Sequence, residues 1–197
     1  MLGSVALLAE EPALALTQFE QLLRRDRDNL QYRLGYAFSL ALSGKTTQAQ
    51  EQVEYVQKRA GKDPQPWLLY GAMMSSAGNT AAASVAYQEV LKRDSKNPFA
   101  LNNLAFLLAR RGEQLDRALA MAEEARRIFP RSPEINDTLA YIYLCKGMKR
   151  NAAATLEQLA ACLPASRQKR TRALLERIQG GDLRSVRAEM ERDNVRN

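Results

Sequence analysis

The chain has 197 residues, of which 46% are hydrophobic and 26% are charged, and its formal net charge is +7. This composition is typical of a folded globular chain, and it argues against a disordered segment or a bundle of membrane spans. The sequence contains no histidine and only two cysteines. Because histidine is the commonest general base and metal ligand, histidine-dependent chemistry is excluded, and we expect no catalytic, cofactor or metal site.

The chain repeats on a step of 34 or 35 residues. Apolar side chains spaced three and four apart lie on either side of each glycine of the repeat, which predicts two amphipathic helices per step. The glycine is then expected to end the first helix in the left-handed conformation. Two columns of small residues define the step: Gly44, Gly78, Gly112 and Gly147, and Ala15, Ala49, Ala83, Ala118 and Ala152.

In chain order, the predicted array occupies residues 1–164. It begins with a shortened hairpin at residues 1–28 and continues with four full hairpins, at residues 29–62, 63–96, 97–131 and 132–164. Because Met1 falls inside the first helix of a hairpin, we expect the chain to be the C-terminal part of a longer array. A natural, shortened first hairpin is the alternative, since terminal repeats are atypical.

The last predicted elements occupy residues 165–197. Residues 166–178, SRQKRTRALLERI, form an amphipathic stretch that predicts a capping helix for the array. Gly180 and Gly181 end that helix, and Asp182 can cap a short basic helix that follows. The longest run without a charge, residues 64–88, contains two prolines and Gly78 at a turn, so it predicts a helix pair and no membrane span.

The hairpin at residues 63–96 resembles a known repeat family. Its sequence, QPWLLYGAMMSSAGNTAAASVAYQEVLKRD, carries Trp67, Tyr70, Gly71, Ala83 and Tyr87 in the columns of the tetratricopeptide repeat. The resemblance extends over residues 1–164. It implies an all-α fold, a right-handed superhelical solenoid of antiparallel helix hairpins, and a concave groove lined by the first helix of each hairpin.

The resemblance also implies where a partner would bind. The family's clamp for C-terminal carboxylates uses lysine, arginine and asparagine, and of the matching positions here only Asn103 agrees. The groove is instead apolar with amides at one end, which suits a helix or an extended peptide. The alternative is that the aromatic side chains pack between hairpins and that the asparagines are solvated. The predicted groove positions are Leu34, Phe38, Leu68, Leu69, Phe99, Asn102, Asn103, Phe106, Asp137, Thr138 and Tyr141.

The tail at residues 165–197 carries nine basic and five acidic side chains, so nucleic-acid or anionic-surface binding is a second hypothesis. However, no aromatic side chain interleaves with these charges to stack on bases. A charge run of this kind is more typical of a solvated helix face. The composition of the tail therefore argues against a nucleic-acid partner.

The sequence predicts a non-catalytic interaction scaffold or adaptor that binds a peptide or helix of a partner protein. A third hypothesis is the regulatory array of a larger enzyme or of an envelope or polysaccharide-secretion protein. It arises because LNNLAFLL followed one repeat later by DTLAYIY is similar to the final repeats of many bacterial tetratricopeptide proteins. Cys145 and Cys162 are expected to be free thiols, which favours a cytoplasmic compartment over the envelope.

Overall fold

A computed structural model of the chain describes residues 12–196, with the side chains of 12, 165–167 and 194–196 outside the description. Residues 1–11, where the predicted shortened hairpin begins, also lie outside it. The described residues form helices and contain no strand, which confirms the predicted all-α class. The helices are α1 Pro12–Arg25, α2 Leu30–Leu42, α3 Thr46–Gln57, α4 Gln65–Ser76, α5 Thr80–Arg93, α6 Pro98–Arg110, α7 Leu115–Ile128, α8 Pro133–Cys145, α9 Lys149–Cys162, α10 Ala165–Gln179 and α11 Leu183–Arg196.

The described helices fall into two compact units that divide between Arg93 and Asp94. In unit 1, α2 packs against α3 and α4 packs against α5, while α1 packs on α2. In unit 2, the hairpins are α6–α7 and α8–α9, and α10 packs on α9. We call the first helix of each hairpin its A helix. The A helices α2 and α4 contact each other in unit 1, as α6 and α8 do in unit 2.

Glycine ends the A helices. Gly112 follows α6 with a φ of +69°, a conformation that costs glycine little and other residues more. Its N–H donates to the carbonyl of Ala109 at 2.9 Å, and the N–H of Glu113 donates to the carbonyl of Leu108 at 3.0 Å. This pair of bonds defines a Schellman cap, which satisfies carbonyls that the helix end leaves free. The other three glycines of the repeat column also have positive φ.

In unit 2, polar caps fix where the A helices begin. The Asn97 side chain accepts from the N–H of Ala100 at 3.1 Å, and the Ser132 hydroxyl accepts from the N–H of Ile135 at 3.3 Å. A proline follows each cap at the first helical position, where its missing N–H costs nothing. These caps set the register of α6 and α8, and with it the direction in which their side chains point.

Small residues let the helices of a hairpin approach closely. Ala83 and Ala118 of the repeat column are fully buried. A Cβ added to Gly71 in α4 would lie 2.6 Å from Cε1 of Tyr87 in α5, closer than packed atoms allow. The aromatic ring therefore takes the volume that a side chain on α4 would need.

Candidate functional site

The unit 1 positions form a half-buried apolar surface on two neighbouring A helices. Leu34 and Phe38 lie on α2, and Leu68 and Leu69 lie on α4. Leu34 is buried, whereas the other three side chains are partly accessible to solvent. A surface of this kind can take further apolar contacts without any rearrangement of the unit.

In unit 2, the start of α6 presents an exposed aromatic ring beside two amides. Phe99 is 48% exposed and its ring centroid lies 5.9 Å from that of Phe129, which is 47% exposed. Asn102 is buried and donates to Oδ1 of Asn103 at 3.4 Å. Oδ1 of Asn102 is buried and has no hydrogen-bond partner among the described residues. We call Phe99, Asn102, Asn103 and Phe129 the aromatic–amide patch.

Phe129 was not among the predicted positions, because it lies after α7 and not on an A helix. The signal in the sequence was a large aromatic residue directly before Pro130, at a helix end where solvent exposure is common. The structure brings its ring to Phe99 and so extends the patch beyond the A helix.

Phe106 and Tyr141 form a second aromatic pair, which is buried. Their ring centroids are 5.5 Å apart at an interplanar angle of 54°, a tilted arrangement that aromatic rings favour. Phe106 is on α6 and Tyr141 is on α8, so the pair joins the two A helices. Burial raises the pKa of the Tyr141 hydroxyl. Both rings therefore already hold the unit together.

Asp137 lies in an ion-pair cluster that joins three helices. Its Oδ2 accepts from Nη1 of Arg170 on α10 at 2.6 Å, while its Oδ1 is buried without a partner among the described residues. Arg170 also donates from Nη2 to Asp193 on α11 at 2.8 Å. Burial raises the pKa of Asp137, although the adjacent guanidinium opposes the rise. Asp137, Arg170 and Asp193 thus connect α8, α10 and α11.

The last helix, α11, packs against α8 and α10. Val186 and Met190 of α11 are fully buried, and Glu191 accepts from Nε of Arg110, at the end of α6, at 2.8 Å. Every residue of α8 from Ile135 to Leu144 is buried, including Thr138. An A helix with one free face would not be buried all round. The chain therefore covers the end of its own A-helix surface with α11.

Sequence reasoning predicted a final helix but not its docking on α8. The signal was the pair of apolar residues Val186 and Met190, four apart in a segment rich in charged residues. That spacing predicts one buried stripe but does not say which helix the stripe will meet.

The basic tail is partly neutralised by its own acids. Arg177 donates from Nε to Asp182 at 3.2 Å and also pairs with Glu189, while Arg170 pairs with Asp137 and Asp193. These guanidiniums would have to exchange carboxylates for phosphates to bind nucleic acid. Their pairing is a physical argument against the nucleic-acid hypothesis.

A separate cavity of about 530 Å³ opens beside α7 and α9 in unit 2, with Arg126, Arg127 and Arg131 among its lining residues. Arg127 pairs with Glu124 at 2.7 Å. Within the part of the chain that the structure describes, no three histidine, cysteine or acidic side chains lie close enough to hold a metal ion. Among the same residues, no helix has the length and apolar character that crossing a membrane requires.

Residues 86–120 match the family model of the tetratricopeptide repeat. No curated protein matches the chain. A crystal structure of a thermophilic tetratricopeptide protein from Thermus thermophilus is 18% identical, with a TM-score of 0.71, and the match covers 90% of this chain and 95% of that one. Yeast Tom70 is 15% identical with a TM-score of 0.77, covering 91% of this chain but 39% of Tom70.

The MamA protein, a third solved structure, is 18% identical with a TM-score of 0.61, and the match covers 75% of this chain and 80% of that one. At these identities the structural matches show the fold alone. The repeat-family match supplies the sequence signature, and the described helices supply the consecutive hairpins. Residues 86–120 therefore match the tetratricopeptide repeat, and the chain has a fold similar to that of the thermophilic tetratricopeptide protein.

Proposed function

We propose that this chain is a non-catalytic interaction scaffold that holds a peptide or helix of a partner protein against its A-helix surfaces. The observation that carries the proposal is the aromatic–amide patch. There, the half-exposed ring of Phe99 lies one helical turn from the unpartnered, buried Oδ1 of Asn102. Protein binding is also the usual role of the tetratricopeptide fold.

The patch has two unmet interactions that one peptide can meet. Removing a phenylalanine side chain from water contributes about 1.5–3 kcal/mol, and roughly half of that remains available at Phe99. A buried acceptor without a partner costs about 1–3 kcal/mol, which would be recovered when the Asn102 side chain turns outward on binding and its Oδ1 accepts a peptide N–H. A bound peptide that packs on Phe99 and donates to Asn102 therefore gains binding free energy both from apolar burial and from a hydrogen bond.

The rest of the predicted groove divides by burial. Phe38, Leu68 and Leu69 are accessible and can contact a partner directly, like Phe99 and Asn103. The remaining predicted positions, namely Leu34, Asn102, Phe106, Asp137, Thr138 and Tyr141, are buried. Their proposed role is to shape the surface and, for Asn102, to accept one hydrogen bond.

The test is affinity capture with the full chain, comparing the wild type with Phe99→Glu and with Val85→Glu. Val85 is a matched control, because it is 58% exposed on α5, the second helix of its hairpin. We expect a partner that the wild type and Val85→Glu retain and that Phe99→Glu loses, because a charge in the apolar contact must be desolvated. Circular dichroism should show equal helix content in all three proteins. A partner retained equally by all three would refute the proposed surface.

A further inference from the structure

The A helix of the last hairpin already has an occupant, which is α11 of the same chain. Helix α11 runs beside α8 so that Arg187 lies near Cys145 at the end of α8. Asp193, at the other end of α11, reaches the Arg170–Asp137 pair near the start of α8. The two helices are therefore antiparallel, and α11 covers most of the length of α8.

Few apolar contacts hold α11 in place. Among its described side chains only Val186 and Met190 are buried. Its polar links also have partly exposed partners: Arg110 with Glu191, Arg170 with Asp193, and Arg177 with Glu189 and Ser185. Ion pairs of this exposure contribute little in water and are screened by salt. A helix of 14 residues is also marginal when it is detached.

The segment that connects α10 to α11 allows α11 to move as one rigid helix. Gly180 and Gly181 separate α10 from α11, and Gly181 has a φ of +86°. Helix α10 has its own buried anchors, Leu174 and Ile178, and packs on α9. Opening of α11 therefore leaves the α8–α9–α10 packing in place, and we expect it to cost less than unfolding unit 2.

The surface beneath α11 has a definite chemical character. Tyr141, which packs on Phe106, lies close to Arg187 and Glu191 of α11, so the covered surface is apolar near this ring pair. Two guanidiniums flank it: Arg110 at the end of α6 and Arg170 on α10, which α11 meets with Glu191 and Asp193. When α11 leaves, both guanidiniums lose an acidic partner, although Arg170 keeps Asp137.

We propose that α11 is a displaceable occupant and that the partner of this surface is an amphipathic helix of another protein, built on the same pattern. The pattern has two apolar side chains four residues apart, as at Val186 and Met190, followed by carboxylates one and three residues beyond, as at Glu191 and Asp193. Such a helix competes with α11 for Arg110 and Arg170. This inference rests on the proposed function and names the class of partner that the end of the A-helix surface takes.

The experiment uses the full chain and, as the probe, a fluorescent synthetic peptide of residues 183–196, acetylated and amidated. Met190→Ser in the chain removes one anchor of α11, and Ala188→Ser, on the exposed side of the same helix, is the matched control. We expect the Met190→Ser chain to bind the probe at least tenfold more tightly than the wild type or the control, because apparent affinity scales with the open fraction. A probe that itself carries Met190→Ser should not bind.

Amide exchange gives an independent measure of opening. The ratio of exchange rates in α11 between Met190→Ser and wild type reports the change in open fraction, and the gain in probe affinity should equal that ratio. A variant whose α11 exchanges faster but whose probe affinity does not change would overturn the proposal, since α11 would then be only a cap. Dimerisation of the Met190→Ser chain, measured by light scattering without probe, would also overturn it, because the occupant would be a second copy.

A charge exchange tests the register of the docked helix. In the Met190→Ser chain, Arg110→Glu should weaken probe binding at least threefold at low salt, and a probe carrying Glu191→Arg should restore it. Equal binding by all four combinations would contradict the register. The proposed function is tested separately at Phe99. A partner lost from Phe99→Glu, together with a probe that binds no chain, would retain the scaffold and reject the role of α11.

Discussion

Asp137 is a buried carboxylate with one oxygen bonded to Arg170 and the other without a hydrogen-bond partner among the described residues. The groups that face it are Arg170 on α10, Asp193 on α11 and Glu134 on its own helix. Burial is the largest influence, and it raises the pKa of Asp137 against the pull of Arg170. The folded state therefore binds this proton more tightly than the unfolded chain does.

This shift predicts the sign of a pH effect on stability. An acid whose folded pKa is raised stabilises the fold below its unfolded pKa, about 3.9 for aspartate, and that contribution is lost as the pH rises through the folded pKa. We expect the unfolding free energy of the wild type minus that of Asp137→Asn to fall as the pH rises from about 4. Each pH unit that separates the two pKa values corresponds to about 1.4 kcal/mol.

The measurement is urea unfolding of both proteins across this pH range, with carboxyl ¹³C titration to locate the folded midpoint of Asp137. Asp182→Asn is a control for which we expect the pH dependence of the unfolding free-energy difference to have the opposite sign. The hydrogen bonds from Ser185 hold the pKa of Asp182 below its ordinary value, so its contribution is present above the unfolded pKa and is lost as the pH falls. A wild-type minus Asp137→Asn difference that rises with pH would show that Arg170 outweighs burial.

At the scale of helices, the sequence predicted what depends on local chemistry. The glycine column marks the ends of the A helices, because a left-handed cap is specified by one residue, and all four glycines have positive φ. The helix starts that the structure shows at Pro98 and Pro133 have an equally local cause, because Asn97 and Ser132 cap them.

The docking of α11 could not be predicted in the same way. Val186 and Met190 predict a buried stripe on α11 but not the helix on which it docks. The docking position is set by Asp137 and Arg170, which are 33 residues apart. The burial of the predicted groove positions likewise depends on contacts between residues that are distant in the sequence. Phe99 and Phe106 occupy the same helix, yet the first is half-exposed and the second is packed on Tyr141. Only the arrangement of neighbouring helices distinguishes them.

The cap at Gly112 gives a prediction for a single helix end. A Cβ at Gly112 would meet no atom within 4 Å, so its substitution tests backbone conformation without a steric clash. We expect Gly112→Ala to lower the unfolding free energy by about 1–2 kcal/mol, the usual cost of a left-handed conformation for an ordinary residue. Asparagine tolerates this conformation better, so Gly112→Asn should cost less in the same chemical denaturation measurement. Equal costs for the two would show that the cap conformation does not decide the stability.

At the scale of the whole molecule, contacts follow chain order. Within each unit, neighbouring hairpins pack on each other, and in unit 2 α11 adds a contact that returns along the chain to α8. In arrays of this kind, stability is close to a sum of terms for each repeat and for each interface between neighbours. Damage to one hairpin should therefore weaken that hairpin most and its neighbour less.

Substitution of Ala83 tests whether stability is a sum of terms for each repeat and each interface. It is fully buried on α5, whereas Ala81 on the same helix is exposed, so Ala83→Leu and Ala81→Leu add the same atoms in opposite environments. Overpacking at Ala83 should cost about 1–3 kcal/mol, while Ala81→Leu should change stability by less than about 0.5 kcal/mol. Amide exchange should accelerate most in α4 and α5 and less in α2 and α3. Uniform acceleration across unit 1 would instead show that its helices open as one cooperative block.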